Sequence, residues 1–538
     1  MSDFKNIFQY HNNSKHSYYS FAPGPGYLDW DSQPDPFRKY EGADDVRLKQ
    51  ILQTDRPFFA ETLRASSIEV SPMNFSSLSQ LFYDSLAISA WKSYQGAKWA
   101  LRVNPSSGNL HPTESYLISG PLEGLANTPT ISHYSPLIHG LEIRAKFPDK
   151  VWQKIVEGLP KDTIFIGLSS VYWRESWKYG LRAFRYCHHD LGHALATINL
   201  SCACLGWSTT LVNHLSTKDL EIILGLDQVN KGEIEIADCL IAVVPDKDRS
   251  ILKLNNQIIS DDFLNLNWQG SANVLSSDHV EWPGIDEVSK SSEKPFTKNH
   301  SNIGFEPGES AELLKDDLFS MRKAIHQRRS AVSMDKRTTI NRDTFYQFLI
   351  KTIPQANPLP FQSLTWEPQV HLGLFVHRVE GLSRGLYLLL RNKIHLEELR
   401  EKFEQNFLWE KSEACPEQLG LFLLKRGDYR NTSKSVSCGQ DIAADGCFSL
   451  GMISAFEQPL AKYGSWFYPR LFWECGAIGQ ILYLQAEVSG IRSTGIGCFF
   501  DDPVHEVFGI RDMSYQSLYH FTVGGPVEDT RLTTLPPY

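Results

Sequence analysis

The chain has 538 residues, of which 42% are hydrophobic and 21% charged, and its formal net charge is −9. This length exceeds the roughly 250 to 300 residues at which one hydrophobic core stops growing, so we expect two domains. The acidic balance and the lack of a basic block argue against nucleic-acid binding. No apolar run approaches the ~18 residues of a membrane-spanning helix, so no membrane partner is expected.

The N-terminal sequence, MSDFKNIFQYHNNSKHSYYS, lacks both the apolar stretch and the small-residue cleavage site of a secretory signal. We therefore predict a cytoplasmic protein and interpret residues 1–45 as an N-terminal tail. The nine cysteines include no CxxC spacing, so they indicate neither a disulfide framework nor a zinc knuckle.

Residues 104 to 118, NPSSGNLHPTESYLI, predict a tight turn that enters a strand. Pro105, Ser106, Ser107 and Asn109 would expose backbone N–H groups and small polar side chains, which suit a polar planar ligand. An ordinary loop at the start of a strand has the same composition. The residues alone leave both interpretations open.

The stretch RYCHHDLGHALATI, residues 185 to 198, predicts a helix with two histidines on one face. His189 and His193 stand four residues apart, which is the spacing of half a zinc site. No third ligand follows at a nearby helical spacing. We favour a packing helix and predict no metal.

The chain also resembles itself at a constant offset of 284 residues. Lys-Tyr-Gly at 178–180 recurs at 462–464, and Gly192 recurs as Gly476. Such an internal repeat predicts two related domains. FWECGA stands in the second half where the first has HHDLGH, so a shared structural role explains the helix without a metal.

The run after the first half is rich in Ser, Asn, Asp, Gly and Pro, which predicts a connector. We divide the chain into the tail 1–45, a first domain 46–250, a linker 251–312 and a second domain 313–538. Amphipathic helical segments such as SSLSQLFYDSLAISAW alternate with short β-rich runs such as ESYLIS, IFIGLSSV, HLGLFVHRV and GLFLLK. This pattern predicts the α+β class, with a sheet covered by helices.

The second half begins with IHQRRSAVSMD, in which Arg328, Arg329 and Ser330 follow a helical turn. Two guanidinium groups and a hydroxyl form a natural phosphate clamp. The alternative is a solvated basic helix end. The equivalent stretch of the first half has a single arginine, Arg64.

Near the end of the chain, SGIRSTGIGCFFDD places Gly495 and Gly497 on either side of Ile496. Glycines at these positions would let backbone atoms approach a ring system closely. A lone GxG is a weak signal. The repeat sharpens it, because Leu211 and Asn213 occupy the matching positions of the first half.

The chain resembles the FMN-dependent nitroreductase superfamily in five features taken together. These are the Arg-Arg-Ser start, the Pro-Ser-Ser strand entry, the glycine-containing helix, the GIG turn and the final VGGPVEDTR. WKYGLRAFRY, NPSSGNLHPTESY and HYSPLIHGLE are similar, more specifically, to SagB/ThcOx-type dehydrogenases, which oxidise thiazolines and oxazolines in modified peptides. The resemblance covers residues 60 to 250 and 313 to 535. It implies two fused nitroreductase-like domains, each with a mixed or antiparallel sheet covered by helices, that form an intramolecular pseudo-dimer.

Members of this superfamily are usually homodimers in which each FMN lies at the subunit interface. One subunit supplies the Arg-Ser segment and the glycine turn, and the other supplies the Pro-Ser-Ser loop. The resemblance therefore implies one FMN per chain, bound by a monomer that contains its own interface, and it leaves further oligomerisation open. The implied cofactor-binding residues are Arg328, Arg329, Ser330, Gly495, Ile496, Gly497 and Arg531 from the second half and Pro105, Ser106, Ser107 and Asn109 from the first.

A Lys-Tyr pair is associated with catalysis in the azoline-oxidising relatives, and it should come from the half that supplies the Pro-Ser-Ser loop. This favours Lys178 and Tyr179 over Lys462 and Tyr463. A lysine whose pKa is lowered by desolvation can serve as a base, and the tyrosine can relay a proton or hold a substrate heteroatom. The alternative for either pair is a helix-start lysine beside a packed tyrosine.

Three functions remain open from the sequence. The first is a dehydrogenase that oxidises a peptide-derived azoline or a similar C–C or C–N unit, with hydride transfer to flavin N5. The second is a nitro or quinone reductase with NAD(P)H as a transient donor. The third is a degenerate flavin-binding scaffold that acts through a partner protein. Retention of one complementary set of residues argues against the third, and the motifs favour the first, with a small molecule or a peptide as substrate.

Overall fold

The computed structural model describes residues 3–51, 54–64, 68–227, 233–246, 260–298, 318–354, 359–412 and 414–538. Helices and antiparallel sheets alternate along these residues, which confirms the predicted α+β class. The helices are α1 (Asp3–Asn13), α2 (Phe59–Arg64), α3 (Phe75–Ser85), α4 (Asp149–Ile155), α5 (Tyr172–Tyr179), α6 (Ala183–Ala203), α7 (Thr217–Leu224), α8 (Pro283–Ser291), α9 (Met321–Gln327), α10 (Arg342–Ile350), α11 (Leu396–Lys402), α12 (Arg430–Val436), α13 (Ile442–Asp445), α14 (Glu457–Tyr463), α15 (Tyr468–Val488) and α16 (Asp501–Phe508).

The strands of the same residues follow the β-rich runs of the sequence. They are β1 (Tyr40–Glu41), β2 (Asp44–Arg47), β3 (Ile88–Tyr94), β4 (Ala97–Arg102), β5 (Thr113–Ser119), β6 (Thr130–Ser135), β7 (Gly140–Lys146), β8 (Ile164–Val171), β9 (Ser208–Leu211), β10 (Glu235–Val244), β11 (Ser271–Ala272), β12 (Ile340–Asn341), β13 (Val370–Val376), β14 (Val379–Glu380), β15 (Gly385–Leu389), β16 (Glu410–Lys411), β17 (Leu421–Arg426), β18 (Phe448–Ala455), β19 (Arg492–Ile496), β20 (Tyr515–Gly524) and β21 (Thr533–Leu535).

Each half of the chain contains one seven-stranded antiparallel sheet. The strand orders are β2-β7-β6-β5-β8-β10-β9 and β16-β17-β15-β13-β18-β20-β19. In both sheets a 21-residue helix, α6 or α15, leads into the edge strand, β9 or β19. The shared topology is the one that the internal repeat predicts; an origin by duplication stays a prediction.

Both faces of the first sheet are buried. Neighbouring residues of a strand point to opposite faces, and Leu117 of β5 lies in the core shared with α6, whereas Tyr116 lies in a second core with Phe165 and Leu224. A sheet covered on both faces requires strands that are apolar almost throughout. This explains why runs such as IFIGLSSV predict strands so clearly.

The two halves meet where α6 crosses α15. A Cβ on Gly192 would collide with the carbonyl oxygen of Trp473, and a Cβ on Gly476 would collide with that of His189. The glycines therefore permit backbone contact between the helices. The His189 ring stacks on Tyr519, with ring centroids 4.1 Å apart, so it belongs to this packing.

The ends of the chain tie the halves together. β21, from the second half, pairs with β3 in a three-stranded sheet with β4 of the first half. At the other end, α1 lies in the predicted tail, where the Tyr10 hydroxyl donates to the Leu181 carbonyl at 2.7 Å and His11 lies 3.1 Å from the Tyr468 hydroxyl. Among the helices of the described ranges, none is both long and apolar enough to span a membrane.

Part of the predicted linker folds against the first half. β11 pairs with β1, and α8 buries Ile285 and Val288 in the main core. Residues 251–259 and 299–312 of that linker lie outside the described residues. The division into tail, domains and linker stays a prediction.

Candidate functional site

A cavity of about 530 Å³ lies between the two halves. This volume is in the range of small-molecule and cofactor sites, roughly 300 to 1,000 Å³. The first half contributes the β3–β4 hairpin, the loop after β4 and one face of α6. The second half contributes the end of α9, β19 and the segment that precedes β21.

Most of the residues predicted from the sequence meet at this cavity. Its lining includes Pro105, Ser106, Ser107, Asn109, Tyr179, Arg328, Arg329, Ser330, Gly495, Ile496 and Gly497. Lys178 lies at its border, with its Nζ beside Gly108. Arg531 is not among the lining residues: its side chain is 71% exposed and pairs at 2.8 Å with Asp529, which does line the cavity.

The Pro-Ser-Ser loop is held from behind by α6. The backbone N–H and the hydroxyl of Ser107 both donate to the Asp190 carboxylate at 3.0 Å. The Asn109 amide donates to the Ala100 carbonyl at 2.9 Å, and the backbone of Asn109 has a φ of 61°. The side chains of Ser107 and Asn109 thus fix the shape of the loop, which leaves its outer surface facing the cavity.

Two buried carboxyl groups lie behind this loop. Burial raises the pKa of Asp190 to about 7. Burial also raises the pKa of Glu175 well above its usual range, and the neighbouring Asp190 raises it further. Burial therefore favours the protonated, neutral form of Glu175, and Asp190 titrates near pH 7.

One end of the cavity is cationic. Arg328 donates to the backbone carbonyl of Val103 at 3.3 Å and to that of Arg102 at 3.1 Å. Arg329 donates to the backbone carbonyl of Arg328 at 2.6 Å and to that of His326 at 2.9 Å. Across the described ranges, neither guanidinium group has a carboxylate within 4.0 Å. Burial lowers the pKa of Arg329 to about 10, and the charge of Arg328 contributes to this shift.

Two further cations line the same end. They are Lys92 and Arg492. Burial lowers the pKa of Lys92, and the charge of Arg329 lowers it further. Arg492 forms an ion pair with Glu528 at 2.9 Å. Glu528 and Asp529 also line the cavity, but the guanidinium groups of Arg328 and Arg329 have no carboxylate partner in the described ranges, and adjacent like charges of this kind are unfavourable unless an anion compensates them. This end of the cavity is therefore suited to a phosphate group.

Tyrosines shape the wall that the second half provides. The Tyr483 hydroxyl lies 2.9 Å from the Ser330 hydroxyl and accepts the backbone N–H of Gly495 at 3.0 Å. A Cβ on Gly495 would collide with the Tyr519 hydroxyl, and one on Gly497 would collide with the Tyr186 ring. The space that these glycines leave is thus occupied by tyrosines of the protein.

The predicted Lys-Tyr pair lies at the other side of the Pro-Ser-Ser loop. Lys178 Nζ is 5.4 Å from the centroid of the Tyr179 ring, which meets Tyr186 edge to face at 4.7 Å. Burial raises the pKa of Tyr179 well above its usual range, and Glu175 raises it further. The Tyr179 hydroxyl therefore stays protonated and can act as a hydrogen-bond donor.

Sequence reasoning missed the second role of α6. Tyr186, Asp190 and His193 line the cavity, although the helix was interpreted only as a packing element. Their spacing of four and three residues places them on one helical face, a signal that could have revealed them. Burial lowers the pKa of His193 to about 3, so its ring is neutral. No three His, Cys, Asp or Glu side chains of the described ranges are placed to hold a metal ion.

The position related to the cavity by the repeat has much less open space, since the cavity beside Lys294 and Arg470 has a volume of about 30 Å³. Leu211 and Asn213 stand there in place of the two glycines, and Thr297 from the predicted linker donates to the Asn213 carbonyl at 2.8 Å. Lys294 Nζ lies 5.2 Å from the centroid of the Trp466 ring, and Tyr463 stacks on Phe467 with centroids 4.5 Å apart.

Comparison with known proteins identifies the fold. Residues 95–243, which lie in the first half of the chain, match the model of the Nitroreductase family. No curated protein matches the chain. A crystal structure of an Anabaena variabilis protein assigned to the nitroreductases covers 97% of this chain and 99% of its own, with a TM-score of 0.69 and 22% identity. At that identity the similarity shows a shared fold alone.

Two further structures are similar over part of the chain. A Ralstonia eutropha protein, also assigned to the nitroreductases, has 13% identity and a TM-score of 0.27 over 42% of this chain and 97% of its own. The E. coli microcin synthetase McbBCD complex with truncated pro-MccB17 has 16% identity and a TM-score of 0.26 over 36% of this chain and 77% of its own. These similarities are too weak to define a shared fold.

Proposed function

We propose that the protein is an FMN-dependent oxidoreductase that binds one FMN in the cavity between its halves. The observation that carries this proposal is the pair Arg328 and Arg329, a buried and a partly buried arginine that face a cavity and have no carboxylate partner for their guanidinium groups in the described part of the chain. A terminal phosphate would supply the missing counter-charge through charge-assisted hydrogen bonds.

The rest of the cavity also fits this cofactor. The buried Asn104 Oδ1 and His111 Nδ1 have no hydrogen-bond partner, and both residues line the cavity. Such atoms favour a ligand with polar edges, because a buried polar atom without a partner is costly. When bound, FMN supplies a two-electron centre that accepts or gives hydride at N5.

Lys178 and Tyr179 are the groups best situated to act on a substrate. We assign to Lys178 Nζ the removal of a proton from the substrate carbon or nitrogen. The Tyr179 hydroxyl, which stays protonated, would donate a hydrogen bond to a substrate heteroatom. The filled surroundings of Tyr463 favour this pair over Lys462 and Tyr463.

The finer proposal is a dehydrogenase of the SagB/ThcOx type that oxidises a peptide-derived azoline or a similar unit. Its support is the Lys-Tyr pair at the border of the cavity, together with the sequence motifs. An NAD(P)H-dependent nitro or quinone reductase would use the same cavity with NAD(P)H as a transient donor. We propose a cytoplasmic monomer with an internal pseudo-dimer interface.

Fluorescence titration of FMN tests the binding site. Arg329→Gln should weaken FMN binding by about 10- to 100-fold, because it removes a charge-assisted contact worth roughly 1.5 to 3 kcal/mol. Arg531→Gln is the matched control, since it removes an exposed arginine that is paired with Asp529. Equal affinities for wild type and Arg329→Gln would overturn the proposed phosphate site, and two FMN per chain would overturn the single site.

The direction of the reaction needs a separate measurement. The FMN-loaded protein is mixed anaerobically with NADPH while flavin absorbance is followed. Slow bleaching is expected for the azoline dehydrogenase. Rapid bleaching would instead identify the reductase.

A further inference from the structure

Two cysteines from separate segments meet at the cavity. Cys498 follows β19 and lines the cavity, and Cys438 lies between α12 and α13. Their sulfur atoms are 2.7 Å apart, which is closer than two sulfurs approach without a hydrogen bond or a covalent bond. A disulfide bond is about 2.05 Å long, so only a small movement separates these thiols from a bonded pair.

The local backbone holds Cys438 toward its partner. Cys438 has a φ of 54°, a left-handed conformation that is uncommon outside glycine, and Gly439 follows with a φ of 70°. The Gln440 amide donates to the Cys498 carbonyl at 3.0 Å and to the Ser437 carbonyl at 2.9 Å. A costly conformation fixed in this way is typical of a functional position.

The surroundings distinguish Cys498 from every other cysteine of the chain. A hydrogen bond from Cys438 lowers the pKa of Cys498, and His16 and Arg182 lower it further. The same contact raises the pKa of Cys438. Burial raises the pKa of each remaining cysteine, namely Cys187, Cys202, Cys204, Cys239, Cys415, Cys447 and Cys475.

We propose that Cys498 and Cys438 form a redox-active dithiol/disulfide pair that reacts with a disulfide-containing small molecule in the cavity. Cys498 is the attacking thiol because it faces the cavity. Cys438 is the resolving thiol because its sulfur touches that of Cys498. The exchange needs no electrons from FMN, because the dithiol itself is the reductant, and it would give the cavity a second redox function.

The reaction proceeds by thiol–disulfide exchange. The Cys498 thiolate attacks one sulfur of the small disulfide, which forms a mixed disulfide and releases the other sulfur as a thiolate. Cys438 loses its proton and attacks Sγ of Cys498, which forms the Cys438–Cys498 bond and releases the second thiolate. Two protons pass to the released thiolates: one is lost by Cys438, and the other is the proton that Cys498 released when it formed its thiolate. The protein dithiol is oxidised by two electrons, and the small disulfide is reduced to two thiols.

The reaction can be followed on the whole, reduced protein with the aromatic disulfide dithiobis(nitrobenzoate). Wild type should release two nitrothiolates per chain in one fast phase, and its mass should then be lower by two hydrogens, without an aryl adduct. Cys438→Ser should release one nitrothiolate and keep one aryl adduct on Cys498, which peptide mapping would locate. Cys498→Ser should lose the fast phase.

Cys415→Ser is the matched control, because Cys415 is also partly exposed but lies outside the cavity lining. It should react as wild type does. Wild-type protein that retains an aryl adduct on Cys498 or Cys438, or that shows no fast phase, would overturn the proposal without any variant. Loss of the fast phase in Cys415→Ser would overturn the assignment to Cys498, and thermal melting verifies that each variant is folded.

Discussion

The two central helices place an acidic residue at the same position of the repeat but give it different partners. Asp190 of α6 accepts the backbone N–H and the hydroxyl of Ser107, and no arginine in the described part of the chain lies within ion-pair distance of it. Glu474 of α15 accepts the backbone N–H of Gln369 and is ion-paired with Arg391. One half therefore uses the acid to shape a loop at a cavity, and the other uses it to fix a filled interior.

The two repeat-related positions therefore differ: the one at Asp190 borders an open cavity, and the one at Glu474 is packed with side chains. Asn109 stands in the loop before β5, where the second half has Trp366 before β13. Trp366 packs edge to face on Phe467 with ring centroids 5.5 Å apart. Large aromatic side chains thus occupy in the second half the space that the first half leaves open.

The largest expected effect is a loss of stability when the buried ion pair between Glu474 and Arg391 is broken. Glu474→Gln should lower the free energy of unfolding by about 3 to 5 kcal/mol, because it leaves the Arg391 guanidinium buried without a counter-charge. Urea unfolding followed by tryptophan fluorescence measures this. Glu410→Gln, which removes an exposed partner of Arg426, should cost at most about 1 kcal/mol. Equal effects of the two substitutions would contradict the comparison.

The Lys-Tyr pairs give the next test, which concerns turnover. Lys178→Ala should reduce kcat by about 100-fold or more, the usual contribution of a general base. Lys462→Ala should leave kcat unchanged, since Lys462 lies 4.8 Å from the Tyr463 ring centroid at the filled position. Steady-state kinetics with an identified substrate compares the two variants. A larger loss for Lys462→Ala would reverse the assignment of the halves.

Repetitive features of the sequence predicted the fold well. Apolar runs identified β5, β8, β13 and β17, because strands buried on both faces carry a strong local signal. The predicted helix at 76–91 ends at Ser85, and β3 begins at Ile88. Pairing of β3 with β4 and β21 overrides the local helical pattern there, and no motif of the sequence reveals a partner more than 400 residues away.

The candidate site was predictable where its residues lie in contiguous motifs. Arg328, Arg329 and Ser330 could be found from one short segment. Lys92 and Arg492 could not, because each is an ordinary residue of a strand and only the fold brings them to the same cavity end. Arg531 shows the opposite case, a residue included through resemblance that the fold leaves on the surface.

A substitution at the crossing of α6 and α15 tests whether the stability of the protein depends on close contact between these helices. Gly192→Ala should destabilise the protein by about 1 to 3 kcal/mol, because the added methyl group meets the backbone of α15. Gly24→Ala is the control, since its Cβ would meet only the Ala22 carbonyl oxygen at 3.9 Å. The shift in thermal midpoint measures both. A neutral Gly192→Ala would mean that α6 and α15 can separate without cost.

The smallest expected change, counted per pH unit, is a dependence of stability on pH that arises from Asp190. Its pKa is about 7 in the folded state and near 3.8 when exposed, so between these values the folded protein holds a proton that the unfolded chain has lost. Stability relative to Asp190→Asn is therefore greatest below about pH 4, falls by up to about 1.4 kcal/mol per pH unit as the pH rises toward 7, and is constant above it. Urea unfolding of both proteins between about pH 5 and pH 8 measures this difference. Parallel curves would show that the Ser107 hydrogen bonds outweigh burial, in which case Asp190 is a permanent carboxylate beneath the Pro-Ser-Ser loop.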